Sequence, residues 1–511
     1  MAPGVMNGGS SSGGTGEHLP AKLTLQVLVC SIIAAFGGLM FGYDIGISGG
    51  VTSMDVFLEK FFPHVYVKKH HAREDNYCKF DDQFLQLFTS SLYLAAVVCS
   101  LFASKCCKRF GRKVTIQLAS LFFLGGVVLT ACAVNLAMLI FGRLFLGAGV
   151  GFGNQAVPLF ISEIAPAKYR GGLNVCFQLL VTVGILCASV VNYFTSTHPF
   201  GWRISLGGAA IPALFLAVGS LLIVETPTSL IERGQPEEGM RTLRKIRGVQ
   251  DVQKEYDEIV NATEMAKTIK HPFRNLMKRS SRPQLVVSML LQMFQQFTGI
   301  NVIMFYAPVL FQTMGFKSDA SLLSAVTTGC VNVLATLVAV FGVDKLGRRF
   351  LLIEASVQML IAQSVTGGIL ATFLKTTNVL PKKYSYVVLF FICFFVSGFA
   401  WSWGPLGWLI PSEIFPLETR TAGFFCAVSM NMIFTFIVAQ AFLSTLCIMR
   451  AGIFFFFCGW IVIMGIFAYS FLPETKGVSI DEMNEKVWKK HWFWKRYFDE
   501  EQDQDQQRDK P

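Results

Sequence analysis

Twelve runs of apolar residues divide the chain, each about as long as a helix needs to cross roughly 30 Å of hydrocarbon. They fall near residues 23–48, 84–104, 114–134, 137–159, 173–194, 203–224, 284–311, 321–343, 350–373, 385–410, 421–446 and 451–472. Such long continuous runs exclude a transmembrane barrel, whose strands alternate over about 10 residues. One long polar stretch separates the sixth run from the seventh. The pattern predicts an all-α polytopic membrane protein of twelve helices arranged 6+6, with both termini on one side. The expected divisions are a disordered cytoplasmic tail at 1–22, a first half at 23–224 with a small extracellular cap at about 49–82, a cytoplasmic helical linker at 225–283, a second half at 284–472 and a cytoplasmic tail at 473–511.

Composition agrees: of 511 residues 53% are hydrophobic and only 15% charged, too apolar for a soluble domain. The net charge of +11 does not point to a nucleic-acid partner, because the bases cluster between apolar runs. Lys105, Lys108, Arg109, Arg112 and Lys113 follow the second run, Lys168 and Arg170 the fourth, and Lys345, Arg348 and Arg349 the eighth. These loops share one face with the 225–283 stretch and with Lys486, Lys489, Lys490, Lys495 and Arg496, and the positive-inside rule makes that face cytoplasmic. Lys60, Lys68, Lys69, Arg73 and Lys79 then fall outside, in a long loop that also holds acids. The Gly/Ser-rich start has no apolar signal core, so the first run is a retained helix.

In the central stretch, Pro236-Glu237-Glu238 opens a segment that closes on Arg244-Lys245-Ile246-Arg247-Gly248. Acids in the first turn, bases in the last and a glycine stop predict a short helix. A second is expected from Asp251 to about Lys267. The sequon Asn261-Ala262-Thr263 lies inside it and should stay unglycosylated.

The halves echo each other. Ser162-Glu163-Ile164-Ala165-Pro166 with Arg170 recurs as Ser412-Glu413-Ile414-Phe415-Pro416 with Arg420, and Phe110-Gly111-Arg112-Lys113 recurs as Leu346-Gly347-Arg348-Arg349. A parallel repeat of this kind places a binding site between the halves, near the midplane. Gly142-Arg143-Leu144-Phe145-Leu146-Gly147, Asp344-Lys345-Leu346-Gly347-Arg348-Arg349 and Pro473-Glu474-Thr475-Lys476-Gly477 resemble the sugar porter branch of the major facilitator superfamily. The strings Phe41 to Gly50, Gln295-Gln296-Phe297-Thr298-Gly299-Ile300-Asn301 and Trp401 to Trp408 are most similar to the plant sugar transport protein family. That resemblance implies a monosaccharide/proton symporter of the plasma membrane. Its expected partners are a hexose such as glucose, the proton and the lipid bilayer, and a monomer is expected to suffice.

Asp44 is a carboxylate inside an apolar helix, a costly position unless paired or functional. It is the proton-carrier candidate, with Arg143 its partner; the bland alternative is a static ion pair. A sugar hydroxyl both donates and accepts, and so does a side-chain amide. Gln178, Gln295, Gln296, Asn301 and Asn332 are the candidates, although a lone intramembrane amide is as a rule interhelical glue. Gln295 and Asn301 are about 240° apart on a regular helix, so a break at Gly299 is expected between them. The resemblance singles out Trp408 as the ring-stacking side chain, with Phe399 and Gly404 near it, and implies that Phe41 and Ile45 contact the sugar.

The resemblance also implies a cytoplasmic gate of crossed ion pairs between the halves, drawn from Arg112, Glu163, Arg170, Asp344, Arg348, Arg349, Glu413 and Arg420. Two departures weaken the first-half match: Lys108 stands where the second half has Asp344, and Glu225-Thr226-Pro227-Thr228-Ser229 varies the family's pattern. Topology leaves only Cys78 and Cys447 clearly outside, where the family has a disulfide bridge. Cys106-Cys107, beside cytoplasmic bases, is a palmitoylation candidate. No phosphate-binding loop is present, and all seven histidines fall in predicted loops or tails. Hence no enzyme activity, metal or cofactor is expected beyond the coupling proton. The competing readings are a passive sugar uniporter and a transport-dead sugar receptor.

Overall fold

The computed structural model describes residues 23–71, 77–166, 169–267, 272–313, 318–374, 380–476, 478 and 483–498. The predicted disordered tail at 1–22 lies outside the described residues, as do Arg73, Lys168, Gly477 and the end of the chain from 499. The first half comprises α1 (Leu25–Val51), the short α2 (Asp55–Phe61) and α3 (Pro63–His71), α4 (Gln83–Phe110), α5 (Arg112–Ala131), α6 (Leu136–Ile164), α7 (Arg170–Thr195), and α8 (Gly201–Gly208) with α9 (Ala210–Leu222) as one span. Between the halves run α10 (Pro227–Glu232), α11 (Pro236–Arg247), α12 (Gln253–Lys267) and α13 (Pro272–Leu276). The second half holds α14 (Arg282–Phe297), α15 (Ile300–Thr313), α16 (Ser318–Leu346), α17 (Arg348–Phe373), α18 (Lys382–Ala400), α19 (Trp403–Ile414), α20 (Leu417–Met449) and α21 (Gly452–Ser470).

Among the described residues, eleven spans are long and apolar enough to cross a membrane, and a bent pair makes the twelfth. That pair is α14 with α15, bent by 48°. The expected break falls at Gly299, whose φ of +84° is open to glycine and strained for other residues. A second break, not foreseen, interrupts the tenth span at Ser402, with φ −132° and ψ −91°. Side chains such as Leu121, Phe215, Phe341 and Phe390 point outward, exposed, as lipid-facing residues must.

Both predicted linker helices form, and α11 ends on Gly248 in the left-handed conformation. Thr24 caps the first turn of α1 and donates to the Ile246 carbonyl at 2.6 Å, tying this bracket to the membrane entry of the chain. The cap is expected from about 49, and α1 continues to Val51 before it, held by Thr52 Oγ1 on the Ser48 carbonyl at 2.8 Å. The cap packs around buried Phe57, against Phe61, Phe62, Phe88 and Trp202. Cys78 and Cys447 are bonded, joining the cap of one half to the outer end of the other. Cys106 and Cys107 are both buried in α4, so no acyl chain reaches them. The tail is partly folded: Trp494 Nε1 donates to the Phe471 carbonyl at 2.7 Å.

A Cβ at Gly299 would stand 2.9 Å from the Phe457 ring as well as forcing the backbone. Gly299→Ala should destabilise the protein by about 1–3 kcal/mol, read as a lower melting temperature in detergent.

Candidate functional site

Asp44 and Arg143 face each other in the first half with no solvent exposure. Arg143 Nη1 donates to Asp44 Oδ1 at 2.5 Å and Nη2 to Ser48 Oγ at 2.9 Å. Its Nε donates to the Phe88 carbonyl at 3.0 Å, and the guanidinium lies 4.9 Å over the Phe88 ring. Burying a guanidinium is tolerable only when its donors are met, and three of these four contacts do not involve Asp44. Asp44 Oδ2 has no hydrogen-bond partner, so the carboxylate keeps a lone-pair site free.

About one turn before Asp44 and immediately after it along α1, Phe41 and Ile45 line a cavity between the halves. Gln178, Gln295, Gln296, Asn301, Asn332, Phe399 and Trp408 share that lining. The break at Gly299 is what brings Gln295 and Asn301 together; Asn301 Nδ2 donates to Gln296 Oε1. Gln295 Nε2 donates to the Trp403 and Gly404 carbonyls, both at 2.9 Å. Trp408 meets Phe177 edge to face at 6.0 Å. Gly404 is not itself part of that lining but adjoins it: a Cβ there would come 2.9 Å from the Phe399 ring and 3.4 Å from Gln178 Nε2.

Sequence reasoning missed Asn431 and Thr435, which also line the cavity. Asn431 Nδ2 donates to Gln295 Oε1 and Gln292 Oε1, each at 2.6 Å, and Gln292 Nε2 donates to the Gly407 carbonyl at 2.5 Å. Polar residues four apart inside the apolar run 421–446 were the available signal.

Among the described residues, the direct ion pairs at the cytoplasmic ends run within the first half and its linker and within the second half, while the charges of Arg170 and Glu413 interact across the halves as expected. Arg112 pairs with Glu163 at 2.8 Å and Glu232 at 2.7 Å. Arg348 pairs with Glu413 and with Asp344, both at 3.1 Å. Each arginine opens a helix directly after the glycine of its repeat, which swings it back onto its own half. The halves are also joined by the Gly172 N–H on Asp344 Oδ2 at 3.1 Å and Asn174 Nδ2 on Ser412 Oγ at 3.0 Å. Arg170 Nε donates to the Ser162 carbonyl at 3.1 Å and Arg420 Nε to the Phe415 carbonyl at 3.4 Å.

The repeat also explains residues the sequence reading left aside. Glu225 accepts from the Arg112 and Lys113 N–H groups at 3.1 and 3.2 Å. Glu474 accepts from those of Arg348 and Arg349, each at 3.0 Å. Each carboxylate thus caps a helix N-terminus, where the dipole favours an anion. Gly111 at φ +95° and Gly347 at φ +91° make room for them. The shared Glu-Thr pairs at 225–226 and 474–475 were the signal. Lys108 points outward, exposed, and Glu232 of α10 supplies Arg112 with the second acid that Asp344 gives Arg348.

Two six-helix halves around an amide-lined cavity, with a buried acid–base pair joining the cavity-lining helix α1 to α6, define a secondary membrane carrier. The family model described as "Sugar (and other) transporter" matches residues 30–487. Sugar transport protein 8 of Arabidopsis thaliana is 66% identical over 97% of this chain and 98% of that protein. Sugar transport protein MST4 of Oryza sativa subsp. japonica is 59% identical over 97% and 96%. Among solved structures, the MFS proton:xylose symporter XylE bound to 6-bromo-6-deoxy-D-glucose superposes with a TM-score of 0.79 at 26% identity, covering 91% of this chain and 99% of that one. The chain belongs to the sugar transporter family of the major facilitator superfamily.

Glu163→Ala would leave the buried Arg112 with Glu232 as its one remaining acid and should cost about 1–3 kcal/mol. Glu232→Ala should cost less, since that carboxylate keeps some contact with water. Melting curves of the two variants in detergent check the order.

Proposed function

We propose that the protein takes up hexoses such as glucose across the plasma membrane together with protons, one proton per sugar, by alternating access. The observation that carries this reading is that α1 presents Asp44 to Arg143 on one face and Phe41 and Ile45 to the cavity on the neighbouring one. A proton taken up on the free Oδ2 of Asp44 neutralises the carboxylate and weakens its hold on Arg143. The guanidinium stays anchored on α4 by the Phe88 carbonyl and ring, and its remaining tie to α1 is the neutral Ser48 hydroxyl, so the hold on α1 weakens while the guanidinium keeps partners for its donors. A shift of α1 then reshapes the cavity wall at Phe41 and Ile45, which makes sugar affinity depend on protonation. Gln178, Gln296, Asn301 and Asn332 offer both donors and acceptors to sugar hydroxyls, and Trp408 offers an apolar face to the ring. Release inside requires the Gly172–Asp344 and Asn174–Ser412 contacts to part.

Membership of a family whose named relatives are sugar transport proteins supports the substrate class, and the likeness to a proton:xylose symporter supports the coupling. One proton moving down about 100 mV and one pH unit releases roughly 2.3 plus 1.4 kcal/mol. That sustains a several-hundred-fold sugar gradient.

Purified protein in proteoliposomes should accumulate labelled glucose above equilibrium under an imposed inward proton gradient, and an uncoupler should abolish the excess. Asp44→Asn should lose accumulation altogether. Concentrative uptake retained by that variant would overturn the proton assignment.

A further inference from the structure

Asp44 aside, Glu354 is the only carboxylate among the described residues that lies more than one turn from the end of a membrane-crossing helix. It sits half-buried in α17, about 9 Å along the axis from Arg348 at 1.5 Å per residue. An intramembrane acid is costly and needs a reason; neither the ion pairs of the gate nor the cavity lining uses this one. Its partner is the Trp401 indole, whose Nε1 donates to Glu354 Oε2 at 3.0 Å.

Trp401 is the last residue before the unforeseen break of the tenth span at Ser402. The same helix α17 grips both sides of that break. Ser356 Oγ accepts from Trp403 Nε1 at 3.1 Å, and Gln358 Nε2 donates to the Phe394 carbonyl at 2.8 Å. On the opposite side the break is held by Gln295, through the Trp403 and Gly404 carbonyls. The position of the break therefore sets where Gln295 points and where Phe399 and Trp408 stand in the cavity wall.

We propose that Glu354 is a positioning residue for sugar binding, acting through its hydrogen bond to Trp401 to fix the α18–α19 break and with it the second-half wall of the cavity. A carboxylate suits the task because a charge-assisted bond in a low-dielectric setting is stronger and more directional than a neutral one. The proposal rests on the sugar-transport reading. A neutral acceptor at the same place keeps the bond in weaker form, whereas alanine removes it.

The test is initial-rate uptake of labelled glucose against concentration, per reconstituted transporter, for Glu354→Ala, Glu354→Gln, Trp401→Phe and the Glu354→Ala/Trp401→Phe double variant. Glu354→Ala and Trp401→Phe should each raise KM about tenfold, the scale of one lost charge-assisted bond, with the maximal rate little changed. Glu354→Gln should stay within about threefold of the parent, and the double variant should be no worse than either single one. The pH profile should keep its shape throughout, because the proton is carried at Asp44. A glutamine variant as impaired as the alanine one, effects that multiply in the double variant, an unchanged KM or a displaced pH profile would each overturn the proposal. Sugar-free melting curves check folding, and if Glu354→Ala does not fold, Glu354→Gln and Trp401→Phe carry the test. Glucose-dependent melting of the same proteins reads binding without transport. A parent protein that binds glucose but fails to accumulate it would therefore count against symport and leave the Glu354 comparison intact.

Discussion

A carboxylate and a guanidinium without any exposure to water, at the centre of an apolar helical bundle, set the terms for the rest of the molecule. The charge of Arg143 is tolerable there because the Phe88 carbonyl, the Phe88 ring and Ser48 hold it independently of Asp44. On the proposed reading, Asp44 can then change its protonation while the donors of Arg143 keep other partners. Every other functional group can be described by how it reads that change: Phe41 and Ile45 directly, as neighbours on the same helix, and the amide wall across the cavity through whatever fills the space between.

The two halves solve the same cytoplasmic problem with different parts. In each, an arginine follows a left-handed glycine, packs onto the Ser-Glu-Ile acid of its own half and lies under a carboxylate that caps the new helix. The second half takes its remaining acid from Asp344, on the membrane helix itself. The first takes it from Glu232, on the linker, because Lys108 occupies the corresponding place. The linker is thus bound into the first half by a buried ion pair and into α1 by the Thr24 bond. Asp344 is left to bridge to Gly172 across the interface. A duplicated architecture has become asymmetric at the point where the halves must separate.

Polar side chains in the cavity depend on helices that stop and restart. The break at Gly299 turns Asn301 toward the side faced by Gln295. The break at Ser402 exposes carbonyls that Gln295 occupies. In hydrocarbon an interrupted helix must have its freed groups met by neighbours, and here those neighbours include the same amides that face the substrate space. Framework and ligand site are consequently one hydrogen-bonded network, from Gln292 and Asn431 through Gln295 to the Trp403 and Gly404 carbonyls.

Much of this was legible in the residues alone. Helix number, the six-plus-six division, the linker helices, the Gly299 break and the candidate proton pair follow from local facts: run length, a glycine, a charge in an apolar setting. Such facts are fully contained in short windows of sequence. The resemblance to plant sugar transport proteins added the amide set, Trp408 and the Cys78–Cys447 bridge. Tertiary structure alone decided that Arg112 and Arg348 fold back onto the Ser-Glu-Ile acids of their own halves and that Glu232 substitutes for the missing acid. It also decided that Asn431 lines the cavity while Gly404 only adjoins its wall, and that Glu354 meets Trp401. Each of these is a pairing between residues tens to hundreds of positions apart. A long polar side chain has partners in several directions, and only the packing of helices against one another selects among them.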